Sequence, residues 1–148
     1  MTNTRTTSNL TYKFAARLVA AAVAEAESKG VNLSFVILDA GGHLVAAARM
    51  DGAAFITAEI ARGKAFASVA TGGQPGTALG QRFTDNPMVW GNVSALGFGA
   101  PLVPAQGAMP VFIDGVLAGA IGASGAPSQI DENVIVAAIR AVGGSESA

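Results

Sequence analysis

The chain has 148 residues, the size of one domain with a core of its own. Apolar residues make up 51% and charged residues 13%, against roughly 25% charged in an ordinary soluble domain, and the net charge is −1. No basic run exists for nucleic acid, no apolar run reaches the roughly 18 residues of a membrane span, and the absence of cysteine excludes disulfides, thiolate catalysis and cysteine-ligated metals.

Residues 1–9 are polar and Thr-rich, and are expected to be disordered, ahead of a single domain over 10–143. They lack the order of a secretory signal, which with the missing cysteines points to the cytoplasm. Residues 10–28 read as a helix. Thr11 can cap it, and Phe14, Leu18, Val19, Ala22, Val23 and Ala26 recur at helical spacing until Gly30. Residues 33–39 form a short apolar, β-prone run. The Ala40-Gly41-Gly42 turn and a return strand over 43–50 complete a hairpin.

A second helix is expected over 55–70, ended by Gly72-Gly73-Gln74-Pro75. A short helical piece follows at 77–82. Residues 83–101 read as a long loop, with one helical turn near 88–93, and a length of that kind is often functional. A short strand is expected over 102–107. Residues 109–113 and 116–123 form a second hairpin around Asp114-Gly115. The last helix covers 128–141, with Ser128 as N-cap and Asp131 and Glu132 in the first turn, where the helix dipole favours acids. The order predicts an α+β domain, an antiparallel sheet with helices packed on it. Its sparse charge leaves apolar surface that further copies of the chain would cover.

Several side chains can carry chemistry. His43 is the only histidine, so a multi-histidine zinc site is excluded, and it is either an exposed turn residue or an imidazole ligand. Arg49 and Asp51 share a face by strand alternation; they are either a structural ion pair or a carboxylate clamp held in place by Asp51. Lys64 follows the apolar stripe of Ile56 and Ile60. It therefore needs an ion pair, a pocket or an interface, and a desolvated amine there can act as base or nucleophile. Ser124 lies in a Gly-rich stretch without the spacing of a nucleophile elbow. Trp90, with Met88 and Phe98, either walls a flat apolar ligand or belongs to the core or an interface.

The order of landmarks has a likeness of its own. Val-x-Leu-Asp-Ala-Gly-Gly-His-Leu at 36–44 is followed by Arg49-Met50-Asp51-Gly52-Ala53 and by Lys64 in an Ala-rich helix. Then come Pro101-Leu102-Val103-Pro104, Asp114-Gly115, Gly119-Ala120-Ile121-Gly122-Ala123-Ser124-Gly125 and Gln129-x-Asp131-Glu132. Over nearly the whole chain this resembles the GlcG/HbpS-like family, also called the haem-degrading domain family. The resemblance implies a profilin-like sandwich with a five-stranded antiparallel sheet, homo-oligomers (often tetramers or octamers) and haem binding in some members. One departure is Gln106-Gly107-Ala108-Met109-Pro110, where many members carry Gly-Gly-x-Pro, so Gln106 marks an altered ligand segment. The expected function is binding of haem or a small carboxylated ligand through His43, Arg49, Lys64, Trp90 and Gln106. The alternative is a cofactor-free isomerase, hydratase or hydrolase of a carboxylated metabolite in a catabolic or biosynthetic pathway, with Lys64 and Asp51 moving protons. No metal-binding motif is present.

Overall fold

The computed structural model describes residues 2–148. Among these residues five helices and four strands follow in the order α1 Tyr12–Ser28, β1 Ser34–Asp39, β2 Leu44–Arg49, α2 Ile56–Ala70, α3 Gly76–Asp85, α4 Pro87–Ser94, β3 Ala108–Ile113, β4 Val116–Ser124 and α5 Ser128–Ala141. The strands form one antiparallel sheet in the order β2-β1-β4-β3.

β1 is central and nearly continuous in its burial, because helices cover both faces of the sheet. Phe35 and Ile37 point to α1 and α5, whose Leu18, Ala22, Ile135 and Ile139 complete the larger core. Val36 and Leu38 point the other way, to Ala61, Ala65 and Val69 of α2. α2 lies very close to the sheet. A Cβ on Gly122 would stand 2.0 Å from the Ala61 carbonyl oxygen, so only glycine fits there. Thr11 caps α1 as expected, its hydroxyl accepting the Phe14 N–H at 3.2 Å.

The sheet has four strands, not five. Residues 102–107 form no strand because Pro101 and Pro104 have no N–H to give to a ladder, and the segment bonds elsewhere. The Val103 N–H donates to the Gly63 carbonyl of α2, and the Ala105 N–H to the Val103 carbonyl. The stretch read as a loop over 83–101 contains the end of α3, and the helical turn expected near 88–93 lies within the longer α4, which starts with Pro87 in its first turn. No residue of α4 is fully buried, so it carries none of the apolar periodicity that reveals a helix in sequence. α5 is capped by Pro127 rather than Ser128, and Ser128 is its first residue.

The open edge of β3 is covered by the C-terminal tail, where Phe112 and Ser145 exchange backbone hydrogen bonds of 2.7 and 3.1 Å. At the other end of the chain, the Leu10 N–H donates to the Ala118 carbonyl, and the Asn9 side-chain oxygen accepts the Ala40 N–H. No helix among the described residues is long and apolar enough to cross a membrane.

Candidate functional site

The sheet register distributes the chemistry-bearing residues over two opposite ends. Arg49, Ser34 and Ser124 stand side by side on β2, β1 and β4 at one end. Asp39 and His43 flank the β1–β2 turn at the other, about 20 Å away along β2 from six residues of extended chain.

At the first end Arg49 is exposed, and its guanidinium donates to the Ala53 carbonyl at 2.9 Å. It makes no ion pair with Asp51. β2 stops at Arg49, where the Met50 N–H closes the ladder on the Leu33 carbonyl, so Asp51 sits in a turn and strand alternation does not reach it. Arg49 and Asp51 line an open groove of about 420 Å³. A second groove of about 420 Å³, between the β2–α2 turn and the start of α5, adjoins it through Asn32.

Lys64 reaches the same end of the sheet from α2, but beyond β4 on the side of β3. Its side chain is buried and its Nζ donates to the Ala123 carbonyl at 3.0 Å and to Asp131 Oδ2 at 3.4 Å. Asp131 is 1% exposed, and its other oxygen accepts the Ala126 N–H at 3.1 Å. Burial pushes the Asp131 carboxyl above the usual carboxylate range; the Lys64 charge and the Ala126 amide pull it back without cancelling the shift. Gly107 closes over the pair: a Cβ there would lie 2.8 Å from Lys64 Nζ and 3.0 Å from the Ala123 oxygen. The pair thus ties α2 on one face of the sheet to α5 on the other. The first-turn position of Asp131 gave it a helix-dipole role in the sequence, whereas its function here is to neutralise Lys64. A lysine on an apolar stripe was the signal that such a partner had to exist.

Gln106 belongs to a neighbouring polar cluster. Its amide donates to Gln129 Oε1 at 3.1 Å and to the Glu132 carboxylate, which also accepts the Thr77 hydroxyl. Trp90 is half-buried against Ala67, Leu79 and Leu102. Phe98 packs on Phe66 with ring centroids 5.8 Å apart, and Met88 is exposed. Trp90, Gln106, Lys64, Arg49 and His43 therefore do not line one common cavity.

At the opposite end the His43 side chain is 83% exposed, with Nδ1 3.4 Å from Asp39 Oδ1. Asp39 Oδ1 also accepts the backbone N–H groups of Gly41 and His43, which fixes the turn. Beside this turn lies a groove of about 410 Å³ whose walls include Arg5, Ala40, Val69 and Val116. Arg5 had no distinguishing pattern in the sequence; only the folding of the N-terminal segment over the sheet end brings it here. Ser124, buried at the Arg49 end, is too far from His43 for a nucleophile–base pair. No group of three or more His, Cys, Asp or Glu among the described residues could hold a metal ion.

Comparison with known proteins agrees with this architecture. The chain is 35% identical to protein GlcG of Escherichia coli (strain K12) over 117 residues, covering 78% of this chain and 81% of that protein. The fold matches the crystal structure of a PduOC:heme complex with a TM-score of 0.83 and 26% identity, covering 95% of this chain and 99% of the other. It matches a double mutant of Streptomyces reticuli HbpS with a TM-score of 0.82 and 28% identity, covering 97% and 93%. The family model described as haem degrading protein HbpS-like matches residues 10–140, and the chain belongs to that family.

Proposed function

We propose that the protein is a cytoplasmic, self-associating binder of haem or of a similarly anionic small ligand. The observation that carries this reading is the likeness, along almost the full length of both chains, to a structure captured with haem. The chain's own residues fit such a ligand at the His43 end. The His43 imidazole is open to solvent, and with Nδ1 3.4 Å from Asp39 Oδ1 its other ring nitrogen would be the one to hold a haem iron. The adjacent groove offers apolar walls and the Arg5 guanidinium for a propionate. A bound haem would supply the iron; His43 would supply a nitrogen ligand, Arg5 a partner for a propionate, and Val69, Val116 and Leu117 apolar contact. Arg49, in its own open groove, offers a second carboxylate site for a smaller ligand.

Titration with haem is expected to give a Soret band that saturates at stoichiometric loading, and His43→Ala is expected to shift the band and weaken binding. The absence of any saturable band would remove haem from the reading. A second reading, a cofactor-free enzyme on a small carboxylated metabolite, draws support from the buried Lys64–Asp131 pair, with its raised carboxyl. A small carboxylate that raises Tm in the wild type but not in Arg49→Ala would favour it.

A further inference from the structure

β2 is an edge strand, and no backbone hydrogen bond among the described residues reaches its outer side. The opposite edge, β3, is covered at Phe112 by the C-terminal tail. The register fixes which backbone groups β2 leaves free. The Met50 N–H bonds the Leu33 carbonyl, so alternation turns the N–H and C=O of Ala48 and Ala46 inward to β1, and those of Ala47 and Arg49 outward. Native edges are usually blunted by proline, lysine or a bulge. β2 has no proline and no lysine, and its one bulge is at Val45, where the pairing skips a residue, so the edge from Ala46 onward is regular and open.

Beside this edge runs a groove whose other wall is α1. Tyr12, Ala16, Val19, Val23 and Glu27 are spaced by four, three, four and four residues, which keeps them within about 80° of one another on the helix. Tyr12, Ala16 and Val19 share a hollow of about 240 Å³ with Ala46 and Ala47. Val23 and Glu27 share the next one, of about 420 Å³, with residues 48–51. At that end the carboxylates of Glu27 and Asp51 join no ion pair or hydrogen bond among the described residues, and the single guanidinium beside them, Arg49, bonds the Ala53 carbonyl. Two carboxylates against one guanidinium leave this end of the groove net negative. We propose that the β2 edge takes an extended peptide from another protein, added antiparallel as a fifth strand through the N–H and C=O of Ala47 and Arg49. Its alternate side chains, opposite Met50, Ala48 and Ala46, enter the groove and are apolar, because alanines on both walls leave room for a larger side chain there. Antiparallel addition brings the peptide's N-terminus to the Asp51 end, where the two carboxylates complement a free α-ammonium. The site is separate from the His43 groove and does not depend on what that groove binds.

The probe is the peptide Val-Thr-Val-Thr-Val with a free N-terminus and a C-terminal fluorophore, titrated with the full chain and read by fluorescence anisotropy. Saturable binding is expected. N-acetylation removes only the ammonium and is expected to raise Kd about fivefold. The shifted peptide Thr-Val-Thr-Val-Thr turns its valines away from the groove and should also bind more weakly. Ala47→Pro deletes an outward N–H without touching the ladder to β1, and is expected to raise Kd about tenfold or more. Ala16→Arg, on the surface of α1, obstructs the groove and leaves β2 intact; the same loss is expected, so the test stays decisive if circular dichroism shows Ala47→Pro misfolded. In Glu27→Gln combined with Asp51→Asn, the free and acetylated peptides are expected to bind alike. No saturation with the wild type at about 1 mM, or binding indifferent to both Ala47→Pro and Ala16→Arg, overturns the proposal. An acetylated peptide that binds the wild type as well as the free one overturns it too, because the N-terminus then does not lie at Asp51. A changed native mass of the folded, peptide-free Ala47→Pro variant would show the edge taken by another copy of the chain, and equally overturns it.

Discussion

Lys64→Met keeps the apolar stem of the side chain but leaves the Asp131 carboxyl, 1% exposed, without its cation. Breaking a buried ion pair by removing one partner costs about 3–5 kcal/mol. That is a large part of the roughly 5–15 kcal/mol that holds a domain of this size together. With a urea m value of about 2 kcal/mol/M, the unfolding midpoint should fall by about 2 M, with m unchanged. Trp90, the only tryptophan, provides the fluorescence signal. The loss should also depend on pH. Burial already raises the Asp131 carboxyl above its unfolded value of 3.8, and removing Lys64 raises it further. Between the unfolded and folded values the folded chain holds a proton that the unfolded chain has released. The associated stability is therefore present at low pH and lost as pH rises through the folded value, so the variant's deficit should be smaller at about pH 5 than at about pH 8. Lys64→Met combined with Asp131→Leu removes the stranded charge and should recover most of the loss. A deficit under about 1 kcal/mol at pH 8, or a double variant no more stable than the single, would refute the reasoning.

Two further perturbations test the packing. Gly122→Ala places a methyl 2.0 Å from the Ala61 carbonyl oxygen, backbone against backbone, and should abolish soluble folded protein as judged by expression and circular dichroism. Thr11→Ala removes the hydroxyl that accepts the Phe14 N–H and should lower stability by about 1 kcal/mol in urea unfolding, leaving haem titration unchanged.

The elements built on strong local signals were legible in the sequence. The Thr11 cap and the spacing of Leu18, Ala22 and Ala26 specify α1, because one apolar stripe and one hydroxyl define a helix without reference to the rest of the chain. Both hairpins follow from their Gly-containing turns, where positive φ is required: Gly42 and Gly115 adopt φ of 86° and 77°. The family likeness followed from the order of short motifs, and the matching family model covers residues 10–140. Only one turn of α4, near 88–93, was legible, because a helix with no fully buried residue has little periodicity to read, and the expected fifth strand failed because Pro101 and Pro104 have no N–H to give and the Val103 N–H bonds to α2.

What sequence alone determined is therefore the local and composition-bound part: element types where burial is one-sided, the absence of thiol and multi-histidine chemistry, and the family. Which side chains meet was decided by tertiary structure, because contact depends on sheet register and not on separation along the chain. Arg49 and Asp51, two residues apart, do not pair, while Lys64 and Asp131, 67 apart, do. The same register sets His43 and Arg49 at opposite ends of the sheet, although β2 joins them directly.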